Sequence, residues 1–155
     1  MGLMTPLAIR IGAIPWLPRF LPQIVRVDRA LQRVTRDRMT LLDVAGLPNL
    51  TLTVVGRRSG VPRTTPLLCV PHEDGWLVAG SYFGGPDTPL WVGNLRAAGH
   101  AEIGYAGEQV PVAAREVEGA ERDRLWQAML RTWPNFARYE QRTERRIPVF
   151  LLARR

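Results

Sequence analysis

Lysine is absent: all 21 basic residues among the 155 are arginine. Arginine stays charged at every accessible pH and grips phosphate or carboxylate through a planar fork, so the excess describes a surface that holds anions without titrating. A GC-rich coding sequence would produce the same bias. Cysteine is nearly absent too. Cys69 stands alone in the apolar run Leu67-Leu68-Cys69-Val70, which excludes an intrachain disulfide and points to a reducing, cytoplasmic compartment. With no clustered cysteines or histidines, no metal site is expected. No apolar run reaches the roughly 18–20 residues of a membrane span, and no small-residue cleavage site follows the N-terminal segment. Helix-turn-helix spacing, zinc-knuckle ligands and ribonucleoprotein aromatics are also missing. Nucleic acid is therefore not the expected partner, despite a net charge of +7.

What is present fits one globular domain. Apolar residues make up 46% and charged residues 23%, close to the soluble average, and a chain of this length buries about two-thirds of its unfolded surface without staples. The positive excess lies in the first third. Residues 1–40 read as a proline-rich and helical extension, in which Pro15, Pro18 and Pro22 alternate with Trp16, Leu17, Phe20 and Leu21 and with Arg10, Arg19 and Arg26. Within it, residues 1–27 have the composition of a segment in peripheral contact with the inner face of a membrane. The same residues suit a lid packed on the domain or on a second subunit.

Residues 41–155 read as the main domain, α+β and mainly β. After a short helix over 28–37, strands are expected at 50–55, 66–70, 76–79, 101–105, 109–115 and 147–152. Hairpin turns fall at Glu73-Asp74-Gly75 and Ala106-Gly107-Glu108. A helix capped by Thr88, with Pro89 in its first turn, runs to Gly99. Another covers 119–132, and a short one capped by Asn135 runs to Thr143. About six antiparallel strands with flanking helices form a partly open barrel.

The strongest chemical signal is Gly56-Arg57-Arg58-Ser59-Gly60, followed by Arg63-Thr64-Thr65-Pro66-Leu67. Two glycines allow a sharp turn with exposed N–H groups, and three arginines surround it with charged donors. A phosphate fits that cradle; so does bulk water around a solvated hairpin. This turn, Ser81 with Gly84-Gly85-Pro86, Pro89-Leu90-Trp91 with Asn94-Leu95-Arg96, and the tail Trp133-Pro134-Asn135-Phe136-Ala137-Arg138-Tyr139 together resemble the deazaflavin (F420)-dependent nitroreductase family, in order from about residue 40 onward.

The resemblance implies a split β-barrel of the flavin-binding type, coenzyme F420, and hydride transfer to a quinone, a nitroaromatic or another activated apolar acceptor. It implies a coenzyme phosphate at Arg58 and Arg63, with Gly56, Arg57, Ser59 and Gly60 beside them. Thr65, Pro66 and Leu67 would lie along the ring system, and Trp91 and Asn94 on the helix that closes the pocket. Ser81 and Tyr139 match hydroxyls that orient the acceptor and supply a proton, which would make them the catalytic pair. Trp133 and Phe136 with Tyr139 would form the acceptor wall, apolar where relatives often carry hydroxyls. Tyr82 follows Ser81 where relatives often carry Lys or Asn, offering a stacking surface in place of a cation. On the same barrel, a non-catalytic lipid carrier or an FMN-dependent oxidoreductase are the alternatives. Both a monomer and a homodimer are compatible with the sequence.

Overall fold

The computed structural model describes residues 46–155, residues 20–35, and Pro6, Ile9, Arg10 and Ala13. Within that range the chain runs α1 (Leu21–Thr35), β1 (Asn49–Val55), β2 (Pro62–Leu68), β3 (Val70–His72), β4 (Gly75–Ala79), a 3₁₀ turn (Tyr82–Gly84) and α2 (Leu90–Ala98). It continues through β5 (His100–Tyr105), β6 (Glu108–Glu116), α3 (Gly119–Thr132), α4 (Asn135–Arg142) and β7 (Val149–Arg154). The seven strands form one antiparallel sheet in the order β2-β1-β5-β6-β7-β4-β3.

The sheet curls into a half-barrel, as the split-barrel expectation requires. Trp76 on β4 meets Tyr105 on β5 edge to face, with ring centroids 5.3 Å apart. In strand order β7 and β6 lie between them. Only a strongly coiled sheet closes that distance. Inside the curl, Leu50, Leu52 and Val54 of β1 alternate with Thr51 and Thr53 and pack with Val78, Val112, Phe150, Leu152 and the α2 residues Trp91, Val92 and Leu95. A second core lies under α3 and α4, where Leu125, Trp126, Met129, Phe136 and Tyr139 meet Leu77, Ile147 and Val149.

Several expected boundaries move. There are seven strands rather than six, because the apolar run breaks at Cys69, whose N–H leaves the ladder and donates to the Pro48 carbonyl (3.0 Å). β2 starts four residues before the expected Pro66, and its prolines are tolerated because it is the edge strand. α1 begins at Leu21 rather than at 28; Pro22 falls in its first turn, where a missing N–H costs no helical bond. Thr88 does not cap α2. Pro89 occupies the cap position, and its carbonyl accepts from the Val92 N–H (3.1 Å). Asn135 is no cap either: it sits buried in the first turn of α4, and its amide donates to the Ile9 carbonyl (2.6 Å).

That last bond, with Ile9 packed on the second core and the Ala13 carbonyl accepting from Arg142, docks part of the N-terminal extension on the domain. The rest of the extension expected at residues 1–27 lies largely outside the described residues. No helix among the described residues is long and apolar enough to cross a membrane.

Candidate active site

The basic turn closes the β1–β2 hairpin. The Gly56 N–H donates to the Val61 carbonyl (2.9 Å), the Gly60 N–H to the Gly56 carbonyl (2.9 Å), and the Val61 N–H to the Ser59 hydroxyl (3.2 Å). The turn is tied to α2 at one point: the Arg57 N–H donates to Asn94 Oδ1 (3.0 Å). The Arg57 guanidinium lies against Gly93, where any Cβ would collide with it. Gly56, Arg57, Arg58, Ser59, Gly60 and Asn94 thus line one open depression of about 530 Å³. Among the described residues Arg57, Arg58 and Arg63 have no carboxylate within ion-pair distance. They are free to take an external anion.

Register shows which residues continue the turn along the edge strand. Val54 faces Arg63, Leu52 faces Thr65 and Leu50 faces Leu67 across the β1–β2 ladder, and residues directly opposite share a face. Arg63, Thr65 and Leu67 therefore lie on the side of the sheet that α2 covers. Beyond β1 they stay exposed or half-buried. Together these make the candidate groove: the open depression at the cationic turn, and the partly exposed edge strand that leads away from it on the same face. Pro66 points to the opposite face, as does Thr64, whose hydroxyl pairs with that of Thr53 (2.8 Å).

Trp91, expected as a pocket residue, is buried in the first core against Phe150 (5.9 Å between centroids). Its neighbour one turn on, Asn94, is the α2 residue that reaches the turn.

Ser81 and Tyr82 come from the loop after β4. Gly80 rests against Val92 of α2, which brings that loop to the same helix as the basic turn. The loop is an unusual conformer: Tyr82 (φ 46°), Phe83 (φ 56°) and Gly84 (φ 76°) are successive left-handed residues. For two residues with side chains this costs roughly 1–2 kcal/mol each. Gly84 is obligatory, because a Cβ there would meet the backbone of Tyr139 and the Arg142 side chain. Ser81 is buried and Tyr82 exposed.

The loop's carbonyls are collected by two arginines that the sequence did not single out. Arg145 donates to Gly80, Ser81 and Gly85, and Arg142 to Phe83 (3.2 Å). Their only trace in the sequence is the arginine-rich stretch 142–146, indistinguishable there from a solvated run.

Trp133, Phe136 and Tyr139, expected as an open acceptor wall, lie instead inside the second core, each at most 5% exposed. Trp133 Nε1 donates to the Tyr139 hydroxyl (3.2 Å), and the Tyr139 ring stands edge to face with Phe83 (5.7 Å) and Phe136 (6.0 Å) under the Arg142 guanidinium. Burial pushes the Tyr139 phenol up to about 12, with the Trp133 hydrogen bond pulling the other way. The phenol keeps its proton throughout the neutral range. In this arrangement it underpins the Ser81 loop rather than facing the groove.

The sequence profile of the F420H(2)-dependent quinone reductases matches residues 24–154. The chain belongs to that family. It is 34% identical over 144 residues to an F420H(2)-dependent quinone reductase of Mycobacterium tuberculosis, covering 90% of this chain and 97% of that one. A putative F420H(2)-dependent quinone reductase of Mycobacterium bovis matches to the same extent. Among solved structures, an F420-H2 dependent reductase superposes with a TM-score of 0.63 at 32% identity, over 68% of this chain and 93% of the other. A haem storage protein of Vibrio cholerae, 14% identical with a TM-score of 0.54 over 70% of this chain and 82% of its own, shares the fold alone.

The protein is thus an oxidoreductase of the split-barrel type that uses coenzyme F420. The candidate groove fits such a group: three arginines without an ion pair among the described residues stand at one end for an acidic tail, and partly exposed edge-strand residues beside α2 suit a planar ring.

Proposed function

We propose that this F420-dependent reductase passes hydride to a quinone or a comparably planar, electron-poor acceptor, and that the coenzyme lies along the β2–α2 groove. The observation that carries the reading is the register of β2, which sets Arg63, Thr65 and Leu67 on one face, exposed or half-buried, beside the cationic turn. Arg57, Arg58 and Arg63 hold the phosphate end, together with the Arg58 and Ser59 N–H groups and the Ser59 hydroxyl. Thr65 and Leu67 support the ring, with the Pro66 backbone between them. Asn94 fixes the turn, and Trp91 fixes the helix from below. Ser81 and Tyr82 bound the far end.

Reduced deazaflavin supplies a hydride, and a quinone that takes this hydride and one proton leaves as the hydroquinone. On this reading Ser81 is the hydroxyl that orients the acceptor oxygen and relays that proton. Tyr139, neutral and buried, holds the loop beneath it. Trp133 and Phe136 shape the acceptor end indirectly, through the packing that carries Phe83. A related structure is described as a domain-swapped dimer, with a TM-score of 0.64 at 32% identity over 68% of this chain and 79% of its own. We extend a homodimer to this chain as the assembly to test by light scattering.

The reaction is tested by anaerobic oxidation of F420H2 with menadione, a nitroaromatic and a cyclic enone, followed by the return of oxidised F420 fluorescence. Faster turnover with the quinone is expected. No acceptor-dependent oxidation above the protein-free blank, with any of the three, would sink the proposal.

A further inference from the structure

Arg145 spends all three directions of its guanidinium on one loop. Nε donates to the Gly85 carbonyl (3.1 Å), one terminal nitrogen to Gly80 (3.0 Å) and the other to Ser81 (2.9 Å). Among the described residues it has no carboxylate within ion-pair distance, and burial works against its charge, with the Asp87 carboxylate working the other way. A half-buried guanidinium without an ion pair needs hydrogen bonds to offset the loss of water, and each of the three nitrogens makes one. Here they are used to hold main chain.

We propose that Arg145 is the positioning residue for the cofactor side of this active site, its fork fixing the Gly80–Gly85 carbonyls so that Ser81 and Tyr82 face the bound coenzyme.

The proposal rests on the F420 reading above and adds a residue to it from outside the groove. Tyr82 and Phe83 carry side chains yet sit in the left-handed region, so left to themselves they would return to the right-handed basin and turn the loop. The fork prevents this by bonding the carbonyls before and after the strained pair. Arg142 adds a bond at the Phe83 carbonyl and, through the Ala13 carbonyl, a link to the N-terminal segment. Lysine cannot stand in for Arg145, because one ammonium on a flexible stem does not span three carbonyls held in a plane.

The test uses the full chain. Wild type, Arg145→Lys, Arg145→Gln and, as a control on charge, Arg138→Gln at an exposed position of α4 are titrated with F420 by fluorescence. Amide hydrogen exchange is read in parallel without coenzyme. Both Arg145 variants are expected to raise the F420 dissociation constant about tenfold or more, with faster exchange confined to residues 80–86, and Arg138→Gln to behave as wild type.

In a Tyr82→Gly background the loss caused by Arg145→Gln should shrink to about threefold or less, since glycine adopts a positive φ freely. A general structural role would give the same loss in both backgrounds. Wild-type affinity in Arg145→Lys, or equal losses in the two backgrounds, overturns the proposal. If the Arg145 variants do not fold, Gly84→Ala displaces the same loop from α4, and a folded Gly84→Ala with wild-type affinity overturns it equally. Absence of F420 binding by the wild type is a different result: it removes the functional reading and the proposal with it.

Discussion

Arg58 and Arg63 are the residues on which coenzyme affinity should depend most directly. Each is exposed and, among the described residues, without an ion pair, and a charge-assisted bond to phosphate contributes roughly 1.5–3 kcal/mol, so alanine at either position should raise the F420 dissociation constant about tenfold or more with no change in fold. Fluorescence titration checks it, and an unchanged constant returns that arginine to the status of a solvated side chain. Tyr139→Phe separates two roles. If the phenol only accepts from Trp133, the change costs about 1 kcal/mol of stability and leaves quinone turnover near wild type; a collapse of turnover in a folded variant would make it the proton donor after all.

The raised phenol also carries a sign. Its contribution is complete below the ordinary tyrosine value of 10.0 and is lost as pH climbs towards about 12, so alkaline denaturation should begin at higher pH in Tyr139→Phe than in wild type. At this scale the cationic turn was readable, since glycines and arginines announce themselves locally. Arg145 was not, because its partners lie 60 to 65 positions away and nothing in a guanidinium's neighbours tells what it will hold.

α2 is the element that joins the parts of the site. It covers the first core with Trp91, Val92 and Leu95, lends Asn94 to the turn, and at its C-terminal end clamps β6 through Arg96, whose Nε and a terminal nitrogen each lie 2.7 Å from a Glu116 oxygen. The Arg96 guanidinium holds the Glu116 carboxyl below its usual range, so the bridge stabilises the fold above the ordinary value of 4.5 and is lost as pH falls below it. Glu116→Gln should flatten the acid limb of a stability profile measured by urea unfolding between about pH 6 and pH 3. A steeper limb in the variant would be the contrary result.

Gly93→Ala tests the helix from its other side. Because the added methyl meets only the flexible end of Arg57, the fold should persist while the guanidinium swings out and F420 binding weakens. Helices of this kind were legible from their apolar spacing. Their first residues were not: Pro89 takes the cap position itself, with the Val92 N–H three residues on as its partner, and Asn135 found its partner at Ile9, far away in the chain.

For the whole molecule, alternating apolar residues and turn dipeptides were enough to suggest an antiparallel barrel, and the half-barrel agrees. They could not give the strand order, since pairing between β4 and β7 or β1 and β5 depends on closure across the sheet. Nor could they show that Trp133, Phe136 and Tyr139 would be drawn into a core under α3, because an aromatic tail suits a wet wall as well as a dry one. Phe150 lies where closure is felt most, buried on β7 against Trp91 of α2. Phe150→Ala should cost about 3–5 kcal/mol, seen as a lower denaturation midpoint with an unchanged slope; a loss under about 1 kcal/mol would mean the sheet closes without it.

β7 also has a bearing on how the molecule comes into being. It is the last strand in chain order, yet it sits between β6 and β4, with four strands on one side and two on the other. A nascent polypeptide that has emerged only as far as α4 has both flaps of the sheet and no seam between them. The groove's cationic turn can form early, on the β1–β2 hairpin, whose pairing is local in the chain. The opposite lip waits for Arg142, Arg145 and the strand behind them, so competence to bind arrives in one late step, when the seam is sewn.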